Sequence, residues 1–203
     1  ESTMRKSFTR RDFSSAAAAL VAFGFQTKVK GENWPSWRGA TRDGRCSTTL
    51  PSKLADMKTF WSVDLDDSYS GPIVTGKHVF VTESLGKKDE SLIALERSTG
   101  VQLWKKQWEG ALSVPFFAKS NGDWIRSTPA TNGKYIVVGG MRDAVACFDV
   151  ESGNEVWRID FNKELKVELP AFGLVCSPLI DGEFVYVHAG GGVRQIHLAD
   201  GKL

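Results

Sequence analysis

A repeated segment constrains this chain more than any other feature of its sequence. Residues 95–104 align without gaps on residues 148–157, 53 positions later, and a third copy begins at Ile196. A second shared element lies upstream of each copy, at residues 71–77, 128–134 and 177–183. A period of about 50 residues predicts copies of one supersecondary unit that stack against each other.

Each copy can be translated into four short antiparallel strands. A proline opens the first strand, where its missing N–H is tolerated, and a Thr-Gly, Asn-Gly or Asp-Gly pair turns the chain into a hairpin. The expected second strands are 79–82, 135–139 and 184–188, and the third strands are 92–96, 144–149 and 193–198. A turn containing glycine leads to a fourth strand. Four strands in about 50 residues are typical of a propeller blade, so the predicted fold is an all-β propeller of four-stranded antiparallel blades.

Tryptophans recur at the start of the fourth strand. A blade buries neither face alone, so Trp104 and Trp157 are interpreted as wedges between neighbouring blades, with Gly100 and Gly153 in the turns before them. Trp61 lies in a similar fourth-strand sequence without three strands ahead of it. We expect it to close a blade begun elsewhere in the ring, because closure removes exposed edge strands.

The organisation that follows is a signal, a lead-in segment and a propeller. We expect about three blades plus the N-terminal closing strand over residues 57–203, with residues 25–56 as the lead-in segment. The chain stops two residues before the position that the repeat predicts for a third tryptophan. We therefore expect the propeller to continue beyond Leu203.

The first residues have the order of an export signal. Basic residues, including the pair Arg10 and Arg11 followed by Phe13, precede a short apolar stretch rich in alanine. This pattern resembles a twin-arginine signal, and we assign residues 1–24 to it. The apolar stretch is about half of the roughly 20 residues that a membrane span needs. The sequence predicts an exported protein, periplasmic or extracellular, without a transmembrane span in the mature chain.

Charge argues against a nucleic-acid partner. The chain has 26 Lys and Arg residues against 24 Asp and Glu residues, and the predicted signal contains the whole excess. The remainder is neutral and has no basic cluster, whereas binding to a phosphate backbone needs concentrated positive charge.

The three cysteines indicate no metal site. Cys46, Cys147 and Cys176 are far apart, and no pair of them has the C-x-x-C spacing of zinc or redox motifs. One disulfide among them is compatible with export.

These patterns together resemble a known family. A Leu-Asp-like pair, then Thr/Ser-Gly, two variable residues and a hydrophobic residue before Trp is similar to the pyrroloquinoline-quinone-like (PQQ-like) repeat. The resemblance covers about residues 57–203. The lead-in motif at residues 34–39, with Asp43 and Gly44, is similar to the start of secreted bacterial members. WD40 repeats differ in their shorter period and their Trp-Asp ending.

The resemblance implies three classes of function. The first is a noncatalytic binding or protein-interaction scaffold, as in an outer-membrane assembly lipoprotein, although this chain lacks a lipidation motif. The second is a quinone dehydrogenase for alcohols or sugars, in which PQQ and calcium would lie over the central channel. The third is another secreted enzyme or a sensor. The repeated residues are structural, so they assign no cofactor and no catalytic residue.

Candidate binding residues lie in the long connections between blades. The connections at 109–126 and 162–175 should emerge on one face around the channel mouth, where a protein or small ligand would bind. Trp124 and Arg126 combine an aromatic ring with a cation, which suits a planar anion; simple packing of the pair is the alternative. Cys176 and His188 are further candidates, with a buried thiol and a structural histidine as the alternatives.

Overall fold

The computed structural model describes residues 31–49 and 51–203. The predicted signal peptide, with Arg10 and Arg11, lies outside the described residues. Strands dominate this part of the chain. Three short helical segments accompany them: 3-10 helices at Leu54–Asp56 and Phe116–Asn121, and helix α1 at Phe161–Leu165.

The strands form three antiparallel sheets in sequence order, which we call blades 1, 2 and 3. Blade 1 contains β1 (Ile73–Val74), β2 (His78–Leu85), β3 (Asp89–Glu96) and β4 (Gln102–Glu109). Blade 2 contains β5 (Ala130–Thr131), β6 (Tyr135–Gly140), β7 (Ala144–Asp149) and β8 (Glu155–Asp160). Blade 3 contains β9 (Leu179–Asp181), β10 (Phe184–Ala189) and β11 (Gly192–His197). The predicted all-β architecture of four-stranded antiparallel blades is confirmed.

Hydrophobic cores fill the two spaces between blades. Successive side chains on a strand point to opposite faces, so Ile136 and Val138 of β6 pack towards blade 1 while Val137 packs towards blade 3. Blade 2 is therefore covered on both faces, which explains its almost continuous apolar strands. Blade 3 leaves Val193 of β11 exposed. The described sheets do not close into a ring.

Tryptophan side chains link neighbouring blades at their outer strands. Each indole N–H donates to a backbone carbonyl just before the next glycine turn, at 2.8–3.0 Å: Trp61 to Arg97, Trp104 to Val150 and Trp157 to Leu198. The three contacts occupy equivalent positions in the repeat. The segment around Trp61 forms no strand in the described structure, because no neighbouring strand is there to pair with it.

The turns that contact the tryptophan rings require glycine. Gly153 has a φ of +67°, and a Cβ at this position would lie 2.7 Å from Cδ2 of Trp104. Gly100 and Trp61 have the same relationship, with a φ of +73° and a distance of 2.7 Å. Glycine therefore provides both the left-handed backbone and the space for the ring.

Two further hydrogen bonds also recur between blades. At the inner strands, the N–H of Gly71 donates to Oγ1 of Thr128 at 3.1 Å, and the N–H of Thr128 donates to Oγ of Ser177 at 3.0 Å. At the turns after the second strands, backbone N–H groups donate to carboxylates of the preceding blade: Met141 to Glu90 at 3.0 Å and Gly190 to Asp143 at 2.8 Å. Each described boundary is thus fixed at inner, middle and outer positions.

The lead-in segment crosses the first strands of all three blades. Trp34 forms an antiparallel bridge with Val74 of blade 1. The carbonyl of Pro35 accepts the N–H of Thr131 in blade 2 at 2.9 Å. Further along, Nη1 of Arg42 donates to the carbonyl of Pro178 at the start of blade 3, at 3.1 Å. This segment therefore ties the inner strands together. In the described part of the chain, no helix is long and apolar enough to cross a membrane.

Candidate functional site

The connections between blades share one face of the structure, called the loop face here. In antiparallel four-stranded blades, the turns between second and third strands and the links from fourth to first strands emerge on the same side. The links between β4 and β5 and between β8 and β9 are the longest of these connections. Trp124, Arg126 and Cys176 lie in these links, while His188 lies near the end of β10.

Arg126 stacks on Tyr69, which the sequence did not single out. The guanidinium carbon of Arg126 lies 4.9 Å from the centre of the Tyr69 ring, and the Trp124 ring lies 5.0 Å from the same centre. Nη2 of Arg126 donates to the carbonyl of Gly122 at 2.9 Å. Nε of Arg126 is buried and has no hydrogen-bond partner within the described residues. Trp124 and Arg126 thus meet through Tyr69.

A concave pocket of about 390 Å³ opens beside this stack; we call it the Arg42–Arg126 pocket. Its lining comes from the lead-in segment and from the starts of the first strands of blades 1, 2 and 3, and consists of Trp37, Arg42, Tyr69, Arg126, Thr128, Val175, Cys176 and Ser177. None of these lining residues is acidic. The pocket is therefore lined by two cationic side chains, two aromatic rings and the aliphatic hydroxyls of Thr128 and Ser177.

The backbone of Arg42 is held in an unusual conformation. Its φ is +58°, a left-handed region that residues with a Cβ seldom occupy, and Arg38 four positions earlier has a φ of +64°. Each such residue costs of the order of 1 kcal/mol. Hydrogen bonds within the loop offset this cost, including Gly44 N–H to the Arg38 carbonyl at 3.0 Å. The guanidinium carbon of Arg42 lies 5.7 Å from the centre of the Trp37 ring.

Cys176 and His188 lie at a second concavity of about 290 Å³, next to the first. The backbone N–H of His188 contacts Sγ of Cys176 at 3.4 Å, and the imidazole is exposed. Asp143 also lines this space; burial raises the pKa of its carboxyl, and the hydrogen bond from the Gly190 N–H opposes that effect. The described geometry brings Arg126 and Cys176 into one pocket and leaves His188 outside it.

Three phenylalanines form an exposed aromatic cluster on the loop face. Phe116 and Phe117 begin the 3-10 helix between β4 and β5, and Phe172 lies between β8 and β9. Their exposed fractions are 85%, 69% and 44%. The ring centres of Phe116 and Phe117 are 5.7 Å apart, and those of Phe117 and Phe172 are 6.2 Å apart. Two blade links therefore build a single apolar surface.

Glu90 is a buried carboxyl at the boundary of blades 1 and 2. It accepts hydrogen bonds from the Trp108 indole at 3.0 Å and from the Met141 N–H at 3.0 Å. Burial raises its pKa to about 7, although these hydrogen bonds and the charge of Arg158 oppose the shift. Glu90 lines a concavity of about 250 Å³, and Arg142, Arg158 and Lys163 line it too. Its hydrogen bonds connect two blades, which is a structural role.

The quinone and the calcium ion that the resemblance implies need different partners in the protein. Arg42 and Arg126 are suitable partners for carboxylates of a quinone. Calcium needs six or more oxygen ligands. Among the described residues, no group of three or more His, Cys, Asp or Glu side chains is placed to hold a metal ion. Within this part of the chain, the structure thus offers partners for carboxylates but no such side-chain cluster for calcium.

The features that the sequence interpretation missed have no repeat pattern. Trp37 and Arg42 lie in the lead-in segment, and Tyr69 lies just before the first proline of blade 1. The adjacent pair Phe116 and Phe117, inside the long connection between β4 and β5, was the signal in the sequence for the aromatic cluster. Only the fold shows that Phe172 joins that pair.

The repeated antiparallel blades, with their tryptophan contacts, define a β-propeller of the PQQ-like repeat class. The chain belongs to the family described as outer membrane protein assembly factor BamB, which matches residues 52–116 and 88–203, more than half of the sequence. No curated protein matches the chain.

Solved structures also match. Quinohemoprotein alcohol dehydrogenase from Comamonas testosteroni is similar over 84% of this chain and 26% of its own, with a TM-score of 0.61 and 18% identity. BamB from Moraxella catarrhalis matches 70% of this chain and 40% of its own, with a TM-score of 0.47 and 14% identity. Quinohemoprotein alcohol dehydrogenase ADHIIG from Pseudomonas putida HK5 matches 69% of this chain and 20% of its own, with a TM-score of 0.49 and 20% identity. The chain thus spans less than half of each; the first likeness supports the propeller fold.

Proposed function

We propose that this propeller is an exported, noncatalytic scaffold that holds a protein partner on its loop face. The aromatic cluster of Phe116, Phe117 and Phe172 carries the proposal. Phenyl rings that are 44–85% exposed leave apolar surface in water, which is unfavourable unless another surface covers it. Exposed aromatic clusters are typical of interaction sites, because aromatic residues contribute much of the binding energy.

The form of the cluster suits a polypeptide with apolar side chains. The rings contact each other edge to face, so they form a continuous apolar surface. The surface joins two blade links, and the blades beneath are fixed to each other at their boundary. A partner would therefore meet a preformed surface, which lowers the ordering cost of binding.

The family of the chain and its predicted export signal support the same function. The family is described as an outer membrane protein assembly factor, which is a role in contact with other proteins at the cell envelope. The signal predicted from Arg10 and Arg11 would carry this chain to the periplasm or beyond. Together they favour a partner in the cell envelope.

Site-specific photocrosslinking tests this proposal. A photoreactive phenylalanine replaces Phe117 in the full-length protein in its host, and the same group replaces Val101 as the control. Val101 is 59% exposed and lies on the opposite face, in the turn between β3 and β4. We expect one defined protein to crosslink at position 117 and not at position 101.

Affinity measurements with the purified partner complete the test. Phe117→Ser should weaken binding at least tenfold, while Val101→Ser leaves affinity unchanged, since aromatic anchors dominate such interfaces. Both side chains are exposed, so circular dichroism should show folded variants. Equal crosslinking at both positions, or unchanged affinity after Phe117→Ser, would refute the scaffold proposal.

A quinone dehydrogenase is the second candidate, and the two guanidiniums of the Arg42–Arg126 pocket favour it. The full-length protein would be mixed with PQQ and calcium and assayed with alcohols and aldose sugars and an artificial electron acceptor. Saturable quinone binding with turnover would replace the noncatalytic proposal.

A further inference from the structure

We propose that the Arg42–Arg126 pocket is a binding site for a carboxylate that is attached to a flat or apolar group. The site is separate from the aromatic cluster, and the proposal does not depend on the protein-interaction function. It rests on charge, on an unused donor and on the shape of the pocket wall.

The charge of the pocket is uncompensated. Arg42 and Arg126 both line it, and no lining residue is acidic. Neither guanidinium has an ion pair within the described residues, where Arg45 and Arg158 are the arginines that form salt bridges. Two cations that converge on a concave surface attract an anion, and partial burial reduces the screening by water and salt.

The donors of Arg126 point to a ligand with oxygen acceptors. Nη2 donates to Gly122, but Nε is buried without a partner in the described structure. A buried N–H without an acceptor costs about 1–3 kcal/mol, so a ligand that shifts the Arg126 side chain enough to reach Nε with an acceptor would recover that energy. Arginine matches a carboxylate best, because the two groups form parallel hydrogen bonds in one plane.

The hydroxyl of Ser177 adds a neutral donor to the same wall. Its oxygen accepts the N–H of Thr128 at 3.0 Å. A serine hydroxyl that accepts one hydrogen bond can also donate one. The carboxylate would therefore meet guanidinium and hydroxyl donors together, which is typical of a specific polar site.

Aromatic walls favour a flat or apolar body behind the carboxylate. Trp37 and Tyr69 line the pocket, and each residue is 46% exposed. Val175 adds an aliphatic side chain that is 58% exposed. A space of about 390 Å³ is within the range of small-molecule sites. Inorganic anions would use the cations but leave these apolar surfaces in water.

The left-handed backbone of Arg42 is the independent observation. Unfavourable backbone conformations persist where surrounding contacts enforce them, and they are concentrated at functional sites. Here Arg42 has this conformation, and its guanidinium donates to the carbonyl of Pro178.

The experiment is an NMR titration of the full chain, observing arginine Nε–Hε signals, with benzoate as the probe. We expect saturable binding and a shift of the Arg126 signal. Benzamide has the same shape without charge, and inorganic phosphate has charge without an apolar body. Both should bind at least tenfold more weakly. No saturable shift with benzoate, or equal binding of benzamide, would overturn the proposal.

Variants provide a matched comparison. Arg126→Gln and Arg42→Gln should each weaken benzoate binding at least tenfold. Arg38→Gln is the control, because Arg38 also lies over Trp37, at 5.4 Å, but donates to the Asp43 carbonyl and does not line the pocket. If Arg38→Gln weakened benzoate binding as much as Arg42→Gln, that result would contradict the assignment of the site to this pocket. The benzamide comparison needs no variant, so the test holds even if one variant fails to fold.

Two sources of the carboxylate are distinguishable. A short peptide ending in Phe with a free carboxyl terminus is compared with benzoate and with the same peptide amidated. Tighter binding of the free peptide identifies a polypeptide end as the ligand, and tighter binding of benzoate identifies a free small molecule. Either result supports a carboxylate site, while equal binding of the free and amidated peptides opposes it.

Discussion

Trp104 of blade 1 donates its indole N–H to the carbonyl oxygen of Val150 in blade 2, at 3.0 Å. The contact joins the start of a fourth strand to the glycine turn of the following blade. Equivalent contacts exist at Trp61 and Trp157, so one bond type sets the spacing of consecutive blades at their outer strands. Stability should therefore depend on these contacts more than on other partly exposed side chains.

Replacement of Trp104 by Phe should destabilise the protein. The change leaves the Val150 carbonyl without its donor and removes part of a ring that packs against the core, at a cost of about 2 kcal/mol. Urea denaturation of the full chain measures the effect. Val101→Ala is the control, because that side chain is exposed. A loss no larger than in the control would mean that the indole contact contributes little.

Replacement of Gly153 by Ala should cost more than the same change at Gly182. Both positions have positive φ, +67° and +57°, so both variants carry the same backbone penalty of about 1 kcal/mol. Only at Gly153 does the new Cβ meet the Trp104 ring, and such overpacking adds about 1–3 kcal/mol. The comparison of urea midpoints isolates the ring contact; equal losses would show that the turn relaxes around the added methyl group.

Stability should fall with rising pH because of Glu90. Burial raises its pKa to about 7 in the folded protein, against 4.5 for an unperturbed group, so the folded state binds more protons between these values. The stability that Glu90 contributes is fully present below pH 4.5 and is lost as the pH rises through 7. The difference corresponds to about 3 kcal/mol.

Glu90→Gln isolates that effect. The amide does not titrate, but its single oxygen keeps an acceptor for the Met141 N–H and loses the acceptor for the Trp108 indole. The variant should therefore be less stable than the wild type at pH 5, and its unfolding free energy should fall less between pH 5 and pH 8. Glu109→Gln, at an exposed position bordering the same space, is the control. If the unfolding free energy depended on pH in the same way in the wild type and in Glu90→Gln, Glu90 would not be the cause of that dependence.

The three thiols should react at different rates. All three cysteines are free; Cys46 is exposed, Cys176 is half-buried and Cys147 is buried. Burial raises the pKa of Cys147 to about 12, so its reactive thiolate is scarce at neutral pH. Titration with a thiol reagent should label Cys46 first and Cys147 only in urea. Cys46→Ser should remove the fast phase, and rapid labelling of native Cys147 would contradict its burial.

The repeats made the blades predictable from the sequence. Much of the candidate site was not predictable, because its residues do not belong to the repeated pattern. The second and third strands, and the positions of Trp104 and Trp157, follow from copies that align on each other. Arg42 has no counterpart elsewhere in the sequence, so only the path of the lead-in segment shows that it meets Arg126. The stacking of Arg126 on Tyr69 was also hidden, because 57 residues separate them along the chain. Predictions about function from Trp124, Arg126, Cys176 and His188 remain untested.

The path of the lead-in segment also has a kinetic consequence. Its contacts run from Val74 through Thr131 to Pro178, and the bond from Arg42 to Pro178 spans 136 residues. Closing such a long loop carries an entropic cost that local strand pairing does not. The segment that leaves the ribosome before the blades is thus expected to reach its final position only after them. Completion of the Arg42–Arg126 pocket would then mark the end of folding in this part of the chain.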